Sequence, residues 1–205
     1  MSLLESSTRQ SNRFLWLVIG FFALLPSVSF AHQGGGEAEG IAQGFMHPIS
    51  GFDHVLAMLA VGLWGAQLRS PAVWILPIVF PMVMAFGGFL GLIGVPIPGI
   101  EIGIAASAIA LGAFVALEAK LPLPIAIVLV GIFAIFHGHA HGTELPEGEN
   151  AALYSIGFVV STGLLHGVGI LIGLIHKWPA GAVVLRLAGV AVAAGGGYFL
   201  WQALK

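Results

Sequence analysis

The chain contains no cysteine, which excludes disulfides and thiolate metal sites and leaves nitrogen and oxygen atoms, with weak methionine thioethers, as ligands for any bound metal. Charged residues make up only 8% of the 205 residues, whereas a soluble domain carries about 25%. A net charge of -2 without a basic patch argues against a nucleic-acid partner. The sequence also lacks a Gly-x-x-x-x-Gly-Lys-Ser/Thr loop, so nucleotide hydrolysis by that route is not expected.

Apolar sequence is abundant instead. Hydrophobic residues account for 58% of the chain and the mean hydropathy is +1.01. Such a chain cannot cover a water-facing surface, so it is expected in a lipid bilayer. Six apolar runs are each near the ~20 residues that a membrane helix needs. They cover residues 51–68, 72–94, 100–117, 122–139, 152–175 and 180–203. The predicted fold class is an all-α membrane protein, a six-transmembrane helix bundle.

The first 31 residues are typical of a cleavable signal peptide. Arg9 and Arg13 precede an apolar stretch of about a dozen residues, which is too short to span comfortably, and Pro26 ends that stretch. A small-x-small cleavage pattern then ends at Ala31. An uncleaved first helix is the alternative interpretation.

Cleavage after Ala31 would place a free amino group on His32, which could then capture a metal ion. Residues 32–46, with three consecutive glycines, are predicted to form a flexible periplasmic segment. Residues 47–205 are predicted to form the transmembrane domain.

The distribution of charge predicts the orientation in the membrane. If the mature N-terminus lies outside, the inner loops and helix ends carry Arg69, Lys120, Lys177 and Arg186. The outer segments then carry Glu37, Glu39, Glu101, Glu144, Glu147 and Glu149. This asymmetry is that of a multi-pass protein of the bacterial cytoplasmic membrane with a periplasmic N-terminus.

The first candidate metal-binding stretch lies where the first apolar run begins. His47, Asp53 and His54 come together there, and ionisable groups at the edge of a span usually mark a function. Imidazole and carboxylate ligands without thiolates suit nickel, cobalt or zinc. Two other roles are open for Asp53: a capping box with Ser50 as the N-cap, or orientation of the His54 ring.

The second candidate stretch ends the fourth run and contains three histidines and a glutamate. If the helix persists, His137 and His141 face one way and could bind one metal ion together, while His139 points elsewhere. Glu144 could add an oxygen ligand. Two glycines, Gly138 and Gly142, could instead unwind the helix end.

Two further residues complete the candidate set. Glu101 begins the third run on the same predicted outer side, where it could form a rim of the site. His166 lies about 14 residues into the fifth run, near the bilayer midplane by the ~1.5 Å rise per residue. A histidine at that depth needs a polar cavity or a partner, so His166 is a candidate transit ligand or proton carrier, with a structural role as the alternative.

Three separated motifs resemble those of the HupE/UreJ family of hydrogenase- and urease-associated nickel permeases, some members of which are assigned to cobalt. The motifs are His47-Pro48-x-x-Gly51-x-Asp53-His54-x-Leu56-Ala57-Met58, His137-Gly138-x-Ala140-His141-Gly142-x-Glu144 and Leu164-Leu165-His166. The resemblance covers essentially the whole mature region. It implies secondary uptake of Ni²⁺ or Co²⁺, with the histidines and aspartate of the first run and the histidines of the fourth run as binding residues.

The sequence thus favours a non-enzymatic metal permease whose partners are a divalent metal ion and the lipid bilayer, with no resident cofactor. An intramembrane zinc hydrolase that uses the same His/Asp cluster is the alternative, with Glu101 or Asp53 as the general base. A periplasmic metal sensor is less favoured, because no soluble domain is inserted. Nickel, cobalt and zinc are not distinguished by these ligand types, and energy coupling and oligomeric state stay open.

Overall fold

A computed structural model describes residues 37–145, 148 and 150–205. The predicted signal peptide at 1–31 and the candidate ligand His32 lie outside these residues. Within the described part of the chain every regular element is a helix.

From Glu37 to the C-terminus the described residues form seven α-helices and one short 3₁₀ segment. They are α1 (Glu37–Ser50), α2 (Phe52–Leu68), α3 (Ala72–Leu92), α4 (Ile100–Ala116), α5 (Leu123–Thr143), α6 (Ala151–Gly173), the 3₁₀ segment (Leu174–Lys177) and α7 (Pro179–Ala203). Helices α2 to α7 coincide with the six predicted apolar runs to within a few residues. Helix α5 extends one turn beyond its predicted run, so the second histidine stretch is helical.

Four helices are long and apolar enough to cross a membrane, namely α3, α5, α7 and α6 together with the 3₁₀ segment. Helices α1 and α2 would add a fifth span if the bent pair counts as one. Helix α4 is apolar but has only 17 residues, near the lower limit of about 17–25 for a span. The described residues are thus all-helical, with four to five candidate spans among them, and the count of six stays a prediction.

The prediction of a flexible segment at 32–46 is wrong for residues 37–46, which form most of α1 and pack against α6. The contact is close because both helices present glycine. A Cβ on Gly44 would overlap the backbone of Tyr154, and one on Gly157 would overlap the carbonyl oxygen of Ile41. Small residues at such crossings let apolar helices approach each other, which an isolated glycine-rich sequence does not reveal.

Helix α2 is the central element of the bundle. It packs against α3, α4, α6 and α7. Ten of its residues are buried, and Ala57, Met58, Ala60, Val61 and Trp64 have no exposed surface. The indole nitrogen of Trp64 donates a hydrogen bond of 2.9 Å to the carbonyl oxygen of Ala119, which ties the C-terminal part of α2 to the end of α4. The first turn of α2 is therefore held on a firmly packed helix.

Helix α5 lies against α3 along a line of glycines. A Cβ on Gly138 would overlap the carbonyl oxygen of Met84, and a Cβ on Gly142 would overlap that of Gly88. The two glycines of α5 thus serve close packing, and the alternative that they unwind the helix end does not hold. This packing fixes the axial position of the histidines that lie between and beside them.

Large apolar side chains cover the outside of the bundle. On α3, Trp74, Ile78, Met82 and Phe86 form one exposed stripe at a spacing of four residues, and each is more than half exposed. A monomeric soluble protein rarely exposes such a continuous apolar surface. The stripe therefore fits contact with lipid chains.

Candidate metal centre

A sharp bend between α1 and α2 gathers the first group of candidate ligands. The two helices meet at an angle of 82° around Gly51, so His47 in the last turn of α1 lies beside Asp53 and His54 in the first turn of α2. In a continuous helix, residues seven apart would be separated by about 10 Å along the axis. The bend brings both imidazoles to the same ring, that of His141.

The capping-box role suggested for Asp53 is wrong. The N-cap residue of α2 is Gly51, and no side chain caps this helix end. Ser50 still belongs to α1, so its hydroxyl donates a 2.7 Å hydrogen bond to the carbonyl oxygen of His47. The carboxylate of Asp53 therefore does not cap the helix and is free to interact with the His54 side chain.

Four imidazoles form one cluster at this end of the bundle. The ring centroid of His141 lies 4.7 Å from that of His47 and 4.4 Å from that of His54. The centroids of His54 and His137 are 4.9 Å apart. The expectation that His137 and His141 face the same way is confirmed, because both rings contact His54. Three helices, α1, α2 and α5, supply the cluster.

Carboxylates lie at the edge of these rings. An oxygen of Glu144 is 3.3 Å from Nε2 of His47. One possible ligand atom from each of His47, His141 and Glu144 lies within 4.8 Å of the other two. Glu101 is exposed and lines a cavity of about 270 Å³ that also touches Asp53 and Glu144. The arrangement offers both nitrogen and oxygen donors to one ion-sized space.

Several donor atoms of the cluster are buried and unused. Oδ1 of Asp53 accepts hydrogen bonds from the backbone N–H of His54 at 2.9 Å and from its Nδ1 at 2.8 Å. Because the carboxylate can only accept, Nδ1 of His54 carries the hydrogen, and Nε2 keeps a free lone pair. Among the described residues Nε2 of His54, Nδ1 of His137 and both nitrogens of His141 have no hydrogen-bond partner. Buried polar atoms without hydrogen-bond partners lower the stability of the folded state, and a bound metal ion would give these nitrogens a partner.

His139 does not join the cluster. Its Nε2 donates a 2.6 Å hydrogen bond to the carbonyl oxygen of Val95, in the connection between α3 and α4. This agrees with the expectation that it points away from its neighbours, but it does not favour the ligand role. The reason is helical geometry, since residues two apart in a helix lie on different faces.

His166 lies apart from the cluster, completely buried in the middle of α6. Phe80 of α3, also without exposed surface, contacts both His166 and the cluster. The ring centroid of Phe80 is 5.5 Å from that of His137 and 5.3 Å from that of His166. The cluster and the mid-helix histidine are therefore neighbours of the same aromatic side chain.

Three residues of this region were not predicted from the sequence as part of the site. Phe80 is one of many phenylalanines, and only packing distinguishes it. Phe158 of α6 lies 4.3 Å from the His141 ring, centroid to centroid, and forms an apolar wall of the cluster. Ser107 contacts Nε2 of His137 at 2.8 Å. Apart from Glu101 in its first turn, α4 has no polar side chain other than that of Ser107, and this lone hydroxyl was the signal that could have identified it.

Comparisons with known proteins agree with this arrangement of motifs. The family model described as HupE / UreJ protein matches residues 19–199. The chain is also 48% identical over 176 residues to Protein HupE of Rhizobium leguminosarum bv. viciae, a match that covers 86% of this chain and 92% of that protein. No solved structure matches the chain significantly. The helical membrane protein described above, with its histidine cluster, thus belongs to the HupE/UreJ family.

Proposed function

We propose that this protein is a permease that takes up Ni²⁺ or Co²⁺ across the bacterial cytoplasmic membrane, entering from the periplasmic side. The observation that carries the proposal is the convergence of His47, His54, His137 and His141 at one end of an apolar helical bundle. Imidazole nitrogens with carboxylate oxygens are suitable ligands for both ions. Membership of the HupE/UreJ family supports the same function.

The charges near the cluster support the capture of a cation. Moving a divalent ion towards the membrane interior is unfavourable unless negative groups accompany it. Asp53 and Glu144 supply two carboxylates beside the imidazoles. Glu101 adds a third carboxylate at the exposed side of the cavity, where an ion would first shed its hydration water. We assign initial capture to the exposed carboxylates and tighter binding to the buried rings.

Onward movement would pass from the cluster to His166. The Phe80 ring contacts both His137 and His166, and we assign to it the role of a side chain that moves when the ion is transferred. A permease needs binding that is favourable enough for entry and weak enough for release. Two imidazole sites that share one aromatic neighbour meet this requirement, because neither has to bind irreversibly.

Nickel and cobalt accumulation in cells tests the proposal. We expect His54→Ala and Asp53→Asn to abolish accumulation while the protein level in the membrane is unchanged. His176→Ala is the matched control, because His176 lies in the 3₁₀ segment, where its Nδ1 bonds to the carbonyl oxygen of Gly173. Unaltered accumulation in both cluster variants would overturn the assignment.

Thermal unfolding of the purified protein with nickel, cobalt, zinc and manganese would identify the preferred ion. An ion at 100 times its dissociation constant stabilises the folded state by about 2.7 kcal/mol. Turnover of a lipid amide by the zinc-loaded protein, without movement of metal into vesicles, would favour the hydrolase alternative instead.

A further inference from the structure

Ser107 makes two hydrogen bonds in the interior of the bundle. It lies in α4 without exposed surface. Its Oγ is 2.6 Å from the carbonyl oxygen of Ile104, one turn earlier in the same helix, and 2.8 Å from Nε2 of His137 in α5. Both distances are typical of strong hydrogen bonds. The hydroxyl thus joins the backbone of α4 to an imidazole of the candidate metal centre.

The directions of these two bonds follow from a count of hydrogens. A carbonyl oxygen can only accept, so the single hydroxyl hydrogen of Ser107 is donated to Ile104. The Oγ lone pairs are then all that Ser107 can offer to His137, and Nε2 of His137 must be the donor. A neutral imidazole carries one N–H, so Nδ1 of His137 holds the free lone pair. That atom is buried and has no hydrogen-bond partner among the described residues.

The same reasoning gives the opposite result for His54. Asp53 accepts a hydrogen bond from Nδ1–H of His54, which leaves Nε2 as the free nitrogen of that imidazole. His141 differs from both, because neither of its nitrogens has a hydrogen-bond partner in the described part of the chain. Two rings of the cluster therefore have an assigned tautomer, each fixed by a neighbour, and they differ in which nitrogen is free.

We propose that Ser107 is a positioning residue of the metal site, which holds His137 as the Nε2–H tautomer and makes Nδ1 its metal-binding atom. The proposal rests on the metal-binding function argued above. Groups that accept the second N–H of a metal-bound histidine fix its tautomer and orientation, and their loss typically lowers metal affinity by about 10–100-fold. Ser107 fills this role for His137 as Asp53 does for His54.

The first experiment compares two substitutions of equal shape. Threonine keeps the hydroxyl that accepts from His137, and valine replaces it with a methyl group. We expect nickel or cobalt affinity, measured by titration of the purified protein, to be about 10–100-fold weaker in Ser107→Val than in Ser107→Thr. Equal affinities in these two variants would overturn the proposal, because any packing effect of the added methyl group is common to both.

The second experiment reads the tautomer directly and does not require metal. In metal-free protein labelled with ¹⁵N-histidine, a resonance that disappears in His137→Gln identifies His137. We expect its Nε2 to give the shift of a protonated nitrogen and its Nδ1 that of an unprotonated one, with this distinction lost in Ser107→Ala. A wild-type His137 protonated on Nδ1 would overturn the proposal even if the threonine variant fails to fold.

The two measurements also separate this proposal from the proposed function. If the wild-type protein binds neither nickel nor cobalt, the permease function and the metal-binding role of Nδ1 both fail. The expected tautomer in that same protein would show that the Ser107–His137 bond is correctly assigned and that the error lies in the function. Metal binding with the wrong tautomer would leave the permease proposal intact and refute the role of Ser107.

Discussion

At the scale of the residue, the buried imidazoles are expected to lower the stability of the metal-free protein. Both nitrogens of His141 lack a hydrogen-bond partner among the described residues, although this side chain is only 5% exposed. A buried polar atom without a partner costs about 1–3 kcal/mol. Functional sites often retain such groups although they lower stability. Here a bound ion would restore the lost stability.

Replacement of His141 should therefore have opposite effects with and without metal. His141→Leu removes two unsatisfied nitrogens and keeps an apolar side chain against Phe158, so we expect the metal-free protein to unfold at a higher temperature. The stabilisation should be on the order of 1–3 kcal/mol. Because His141 contacts both His47 and His54, the increase in unfolding temperature on addition of nickel should disappear.

Thermal unfolding in detergent, with and without nickel, measures both effects. His139→Leu is the control, since His139 bonds to the carbonyl oxygen of Val95 and lies outside the cluster. It should retain the response to nickel. A full nickel response in His141→Leu would contradict a ligand role for His141.

At the scale of the element, the position of α5 against α3 decides where its histidines lie. The two helices touch through glycine, so a single methyl group at the crossing must push them apart. Interiors tolerate such overpacking poorly, at a cost of about 1–3 kcal/mol. His137 directly precedes Gly138 and His141 follows it by three residues, so any displacement of the helix moves both rings relative to His54.

Helix α5 contains its own control for this effect. Gly138→Ala should lower the unfolding temperature and weaken nickel binding, because its Cβ would overlap the Met84 carbonyl oxygen. Gly131→Ala should be neutral or slightly stabilising, since a Cβ at Gly131 has nothing within 4 Å and alanine is the better helix former. Both variants are measured by thermal unfolding and nickel titration. Equal stability of the two proteins would mean that the α3–α5 contact is not tight.

At the scale of the whole molecule, the two ends of the bundle differ in chemistry. The candidate metal centre and Glu101 occupy one end. At the other end Arg186 donates a 3.2 Å hydrogen bond to the carbonyl oxygen of Ala116, and Lys120 follows α4. The basic end is expected in the cytoplasm, which would leave the histidines facing the periplasm.

Cysteine labelling tests this orientation, and the absence of native cysteine makes the background clean. Pro98 and Lys120 are exposed residues before and after α4. In right-side-out spheroplasts, a membrane-impermeant maleimide should label Pro98→Cys at once and Lys120→Cys only after permeabilisation. The reverse pattern would refute the orientation. Labelling of both from outside would show that the 17-residue α4 does not cross the membrane.

The positions of the helices and the type of candidate metal site could be predicted from local sequence. Apolar runs near the length of a membrane span predicted α2 to α7, because hydropathy and length are local properties that a bilayer selects directly. The four-residue spacing of His137 and His141 likewise predicted that their rings share a face. The absence of cysteine limited the candidate metal ligands to nitrogen and oxygen atoms, with weak methionine thioethers.

Which of these residues come into contact depends on how the helices pack. The bend at Gly51 places His47 and His54 in the same cluster. Helix packing brings Ser107 into contact with His137, 30 residues away in sequence. His139 instead hydrogen-bonds to the carbonyl oxygen of Val95. Residues 32–46, with their three consecutive glycines, were predicted to be flexible, yet from Glu37 onward the chain forms a packed helix. These outcomes depend on contacts between helices distant in sequence, and no local pattern of hydropathy or spacing encodes them.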